Sequence, residues 1–153
     1  MRNLWKRLVG ADLVDVDTTG FTEHQLAAAA LLVEAALMDG VIGPDESARV
    51  ERLLAERFGL SAGEARMLYD HGRAAAERSV EWQGFTSTIK DAFDDRERVE
   101  LVEMLWEVVL VDGELHDHEA SLMRRITGLL YVDARDNADA RRRALEKVER
   151  GRS

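Results

Sequence analysis

Apolar residues recur along this chain at intervals of three and four. The clearest run is Val99, Val102, Leu105/Trp106 and Val109/Leu110, which keeps the period of a helix that buries one face. Punctuation brackets each run. Thr22-Glu-His-Gln25 has the form of a capping box, with Phe21 placed before it as the staple residue, and opens a helix to about Met38. Within it Ala27 to Ala30 are small enough for another helix to come close. Pro44 suits the first position of the next helix, which runs to about Phe58 and is closed by Gly59. Ser61 and Glu64 form a second capping box, for a helix to about Arg78. Trp82 to Phe93 reads as a short helix broken near Gly84. Asp94 or Asp95 caps a long helix to about Val111. Two more run from about His116 to Leu130 and, capped by Asp133, from Ala134 to about Glu149. The only extended pieces are Val41-Ile42 and Glu114-Leu115. The expected class is all-α, a compact bundle of about six to eight helices.

One stretch is written twice. Glu34 to Glu46 reads EAALMDGVIGPDE, and Glu107 to Glu119 reads EVVLVDGELHDHE. At an offset of 73 the pairs Glu34/Glu107, Asp39/Asp112, Gly40/Gly113 and Glu46/Glu119 coincide, as do Leu32/Leu105, Leu37/Leu110 and Arg52/Arg125. An internal duplication of a helix–loop–helix is therefore expected, with too few copies for a solenoid.

Each loop echoes half of an EF-hand calcium loop, with Gly at its sixth position, an aliphatic residue at the eighth and Glu at the twelfth. The first and third positions would be Ala35 and Leu37, or Val108 and Leu110, which cannot ligate. A complete calcium loop is excluded. If Ile42 and Leu115 meet across a pseudo-twofold axis, Asp39, Glu46, Asp112 and Glu119 are pooled. Glu34 and Glu107 lie among apolar neighbours, where a carboxylate must find a partner or have its pKa raised. Six carboxylates are thus candidate ligands for a divalent cation of unspecified identity: Glu34, Asp39, Glu46, Glu107, Asp112 and Glu119. Each also has a structural role open to it. Glu at the third helical position caps its own helix, Asp-Gly is ordinary turn chemistry, and a buried Glu can serve a neighbouring helix start.

Charge sharpens the picture. The 153 residues carry a formal net charge of −9, with 33% charged and 46% hydrophobic residues. Residues 1–10 are +3 and residues 134–153 are +3, leaving 11 bases against 26 acids, or −15, in residues 11–133. That acidic body repels nucleic-acid phosphate and suits cations or basic partners. The chain has no Cys, hence no disulfide, thiolate metal site or thiol redox chemistry. No Ser-His-Asp order, Gly-rich phosphate loop or nucleophile elbow is present. His116 and His118 are two apart, on different sides of a helix, and His24 and His71 are isolated, so all four read as surface histidines. Trp5, Trp82 and Trp106 read as packing residues, and Arg141 to Arg143 as a solvated face. Residues 1–20 form a short basic helix (Met1 to Val9) and a linker; residues 21–149 form the helical domain. With no signal-like segment, a cytoplasmic protein is expected, touching a membrane only indirectly or through residues 1–9.

The segments LLVEAALMDGVIGPDE, LLAERFGLSAGEA and LVEMLWEVVLVDGELHDHEASLMRRITGLLYV resemble the TerB-like (tellurite resistance protein B) family, in its stand-alone bacterial branch, over about residues 21 to 145. The same fold is shared, at lower similarity, by the N-terminal domain of the DjlA co-chaperone. The resemblance implies an all-helical bundle and a role in tellurite resistance and wider stress responses. It makes the six carboxylates the family's proposed divalent-metal site, and implies no catalytic activity. Two functions follow as expectations. One is a non-enzymatic, metal-binding or metal-responsive interaction module with a protein partner. The alternative is an acidic adaptor that docks a basic protein, its motifs purely structural.

Overall fold

The structure, a computed structural model, describes residues 20–37, 42–78, 83–111 and 117–152. Seven helices fill them: α1 Glu23–Ala36, α2 Pro44–Phe58, α3 Ala62–Arg78, α4 Gln83–Ala92, α5 Asp95–Val109, α6 Asp117–Leu129 and α7 Ala134–Arg152. The all-α bundle expected from periodicity is the architecture observed. Residues 1–19, the expected basic helix and linker, lie outside the described residues, as do Gly40 and the Leu115 half of the expected Ile42–Leu115 contact.

Local chemistry sets the helix ends. Thr22 and Gln25 exchange hydrogen bonds at the start of α1. Pro44 opens α2, and Gly59 closes it in the left-handed region at φ 63°. Ser61 and Glu64 form the box before α3, and Asp94 and Glu97 the one before α5. Asp133 accepts from the Asp136 N–H at 2.8 Å to open α7. Gly84 does not break α4. It lies in the first turn, exposed, where the missing side chain costs little, and its carbonyl accepts from Thr88 Oγ1 at 3.0 Å. The last helix also runs past Glu149, to Arg152.

Helix α1 is the axis of the bundle. Nearly every residue after its first turn is buried, including Ala27 to Val33 without interruption, so it has no wet face. It packs on α2, α3, α4 and α5, most extensively on α3. At that crossing Gly72 of α3 meets Ala29: a Cβ at Gly72 would stand 2.5 Å from the Ala29 Cβ and 3.0 Å from its backbone carbonyl carbon.

The duplication is larger than the helix–loop–helix expected from sequence. It takes in a third helix, so α1-α2-α3 and α5-α6-α7 repeat the same order on either side of α4, although α2 lies against α3 far more than α6 does against α7. Both α2 and α6 end alike. Leu60 N–H reaches the Ala55 carbonyl past left-handed Gly59, and Val132 N–H reaches the Thr127 carbonyl past left-handed Tyr131, at φ 59°. In the third helices Leu68, Gly72 and Ala76 line up with Ala140, Ala144 and Val148 at an offset of 72, and all are buried. Just as α3 packs on α1, α7 packs on α5.

The tight α1–α3 crossing makes a prediction. Gly72→Ala should destabilise the protein by ~1–3 kcal/mol through overpacking, despite a gain of about 1 kcal/mol in helix propensity. Gly63→Ala, with nothing within 4 Å of the new methyl, should be neutral or stabilising. Chemical denaturation compares the two. A Gly72→Ala protein as stable as the Gly63→Ala protein would contradict the close contact.

Candidate functional site

Of the six candidate ligands, four fall on described residues. Glu46 lies in the first turn of α2 and accepts from the Gly43 N–H at 2.9 Å, the capping role open to it from sequence. Glu34 is half-buried near the end of α1. Glu107 is 5% exposed near the end of α5, and Glu119 is 2% exposed in the first turn of α6. Asp39 and Asp112 lie outside the described residues. Among the described residues no three metal-ligating side chains gather as they would around an ion, so the pooled site is not assembled from these four alone.

A cleft does form beside Glu107. The spacing of three and four residues puts Glu100, Glu103 and Glu107 on one face of α5. That face meets Leu53, Glu56 and Arg57 of α2 and Lys147 of α7 around a volume of about 220 Å³. Glu103, which sequence reasoning passed over, is its most tightly held group. Arg143 Nε donates to its Oε1 at 2.6 Å, and Lys147 Nζ donates to its Oε2. Lys147 Nζ is also 3.8 Å from Glu107 Oε2. Across the cleft Arg57 Nη2 lies 3.3 Å from Glu97, and its guanidinium stacks 5.3 Å from the Phe93 ring. A signal for Glu103 was present in the sequence: an acid one turn before Glu107, and two bases one turn apart on the last helix.

The two buried carboxylates of α5 differ in electrostatics. Burial pushes Glu103 up, but hydrogen bonds from Lys147 and Arg143 outweigh it and hold the carboxyl below its ordinary value. Burial pushes Glu107 up as well. Lys147 opposes that from a distance, the Glu103 charge adds to it, and the net shift is upward. The hydrogen bond to Glu103 raises Lys147, against its own partial desolvation. The expectation that a carboxylate at position 107 needs a partner or a raised pKa holds on both counts.

Other candidates move. His24 is half-buried with its ring edge-on to Phe93 at 5.5 Å, and desolvation is the main reason its pKa is lowered. His71 packs on Phe21. Neither is the surface histidine expected; His118 is exposed. Trp106 is a packing residue, 4% exposed, and its indole N–H donates to Asn137 Oδ1 at 2.8 Å. The arginine triplet is not one solvated face. Arg141 lies over Trp106, Arg142 pairs with Asp139, and Arg143 holds Glu103.

These features define a class: an all-α domain of two related three-helix units, with buried carboxylates at both ends of its second acidic motif. No helix among the described residues is long and apolar enough to cross a membrane. The chain belongs to the tellurite resistance protein TerB family, whose sequence model matches residues 25–142. It is also similar in fold to a protein of unknown function from Porphyromonas gingivalis W83. That crystal structure is 22% identical, with a TM-score of 0.57 over 81% of this chain and 89% of the other. No curated protein matches the chain in sequence.

The opposed shifts predict opposed pH behaviour, read from thermal melts in chelator-containing buffer. Glu103 has a depressed folded-state pKa, so its stabilisation is present above the ordinary carboxylate range and is lost as pH falls through the folded value. Glu103→Gln should cost ~2 kcal/mol at neutral pH and progressively less in acid. Glu107 has a raised folded-state pKa, so its contribution is greatest in acid and is lost as pH rises through that value. Glu107→Gln should therefore be neutral in acid and stabilising at neutral pH. Parallel pH profiles for the two variants would contradict the assignment.

Proposed function

We propose that this chain is a non-enzymatic module of a tellurite-resistance or stress-response type system, working in the cytoplasm, that takes up a divalent cation at its acidic motifs and engages a protein partner in response. The observation that carries the reading is the burial of Glu107 at the start of the second motif, with Lys147 only at 3.8 Å. Buried carboxylates must be paired, protonated or bound to a cation. Glu107 is drawn toward its protonated form, so its charge is only partly compensated by Lys147. The equivalents of Glu107 and Glu119, Glu34 and Glu46, recur in the first motif, which supports a common task. Calcium asks for six to eight oxygens, so the described carboxylates would need Asp39 and Asp112 to join them. Membership of the TerB family supports the system assigned. Lacking Cys, the chain would act there by binding rather than by thiol redox chemistry.

A second reading is favoured by one observation. Glu46 is committed to the cap of its own helix. If the other motif carboxylates are equally structural, the acidic surface is a permanent adaptor for a basic partner.

Metal addition separates the two. Calcium, magnesium, manganese or zinc, added at millimolar concentration to metal-free protein, should raise its melting temperature. A ligand at roughly 100 times Kd contributes about 2.7 kcal/mol, or about 5–10 °C for a chain of this size. Glu119→Gln should reduce the rise. No rise with any of the four ions removes the metal-responsive reading. Partner capture that survives chelator, but is lost when surface acids of residues 11–133 are reversed in charge, supports the adaptor.

A further inference from the structure

Away from the acidic cleft, α5, α6 and α7 enclose a second groove, of about 500 Å³. Its floor is apolar, built on Trp106, Met123 and Leu145. The charged residues that line it are Arg124, Arg141 and Arg142, all exposed, and no acid is among them. Arg142 is paired with Asp139. Arg124 and Arg141 form no ion pair with a carboxylate among the described residues. The Arg141 guanidinium rests 5.3 Å from the centroid of the Trp106 ring, whose N–H is held by Asn137. This is an arginine set on a fixed aromatic platform, so little side-chain freedom remains to be lost on binding.

The first unit differs at this place. At the equivalent positions of α2 and α3 stand Glu51, Tyr69 and Asp70, where the groove has Arg124, Arg141 and Arg142. The first half places two acids and a buried tyrosine there, where α2 lies against α3; α6 lies far less against α7, and the arginine-rimmed groove occupies that side. In a protein of net charge −9, the basic rim is a local inversion of sign. Arginine and tryptophan around an apolar floor are the residue types that anchor protein interfaces.

We propose that this groove docks an acidic segment of a partner protein, with apolar side chains seated over Met123 and Leu145 and carboxylates paired to Arg124 and Arg141. Charge complementarity selects the occupant: an acidic segment is attracted to this rim, whereas a basic one meets arginines with no relief. The proposal stands apart from the cation reading, which concerns the opposite sign of partner and a different face.

The probe is a fluorescein-labelled peptide of glutamates with leucines at helical i, i+4 spacing, followed by anisotropy against the full chain. Its lysine-for-glutamate counterpart is the comparison. The acidic peptide should bind with Kd below ~100 μM, and the basic one should not. Arg124→Glu with Arg141→Glu should weaken binding by roughly tenfold or more, the usual scale for reversing paired interface charges. Arg66→Glu with Arg135→Glu, an equal change of charge outside the groove, should alter it less than about threefold at 0.15 M salt, where distant charges are screened. Thermal melts establish that both variants fold, and the Trp106 indole N–H resonance, shifted by peptide in the parent protein, locates the contact. Absence of binding, or equal loss in both double variants, overturns the proposal. So does a dimer in sedimentation that only the groove variant breaks, since a second copy would then be the occupant, or groove-dependent binding to anionic vesicles in place of the peptide.

Discussion

A helix with no polar face has to be enclosed, and most of this fold follows from enclosing α1. Past its first turn Glu34 is the one carboxylate it carries, and the run from Ala27 to Val33 is buried on every side. No single neighbour can cover such a helix, so α2, α3, α4 and α5 all lie against it. The small residues of the run decide how closely. Alanines on α1 and Gly72 on α3 bring the two backbones nearly into contact, which maximises dispersion and leaves no tolerance for an added methyl.

The second unit also packs its third helix on its first, by different means. Ala30 of α1 and Ala75 of α3 stand where α5 and α7 have Glu103 and Lys147. The first half closes its central crossing with small apolar side chains, and the second with a carboxylate held by two bases. A buried ion pair adds little stability over an apolar contact. What this one supplies is register: Arg143 and Lys147, one turn apart on α7, both reach the single carboxylate of Glu103 and fix α7 along α5. The basic residues of α7 are thus divided between an inner row that holds this carboxylate and an outer row left for the groove beside Trp106.

What the sequence revealed, and what it hid, divides by range. Caps and stops are interactions over three or four residues, so the ends of α1, α2, α3 and α5 were legible from Thr22, Pro44, Ser61 and Asp94. That the third helices belong to the repeat was not. Their kinship lies in burial pattern and backbone conformation, while their marker residues have changed: Gly59 has become Tyr131, and Gly72 has become Ala144. Tyr131, 74% exposed in a left-handed conformation that disfavours any side chain, could not have been expected from residue preference. Glu103 escaped notice because its partners are 40 and 44 residues away, and an acid one turn before Glu107 does not by itself say which bases will reach it. Of the candidate ligands, Glu46 and Glu107 took up environments that sequence logic had named for them. The meeting of Ile42 with Leu115, on which pooling depends, involves Leu115, which lies outside the described residues.

The contrast between Glu103 and Glu107 bears most directly on the proposed cation site. One turn of α5 separates them, yet the first is held by two bases, while the second shares Lys147 only at 3.8 Å and has its pKa raised by burial. The committed carboxylate therefore faces the helix crossing, and the uncommitted one lies nearer the Asp-Gly motif. A cation held there would meet a carboxylate outside the network of Arg143, Glu103 and Lys147, leaving the contacts of the α5–α7 crossing in place. Such an arrangement lets charge change at one end of α5 while the register of the bundle stays fixed at the other.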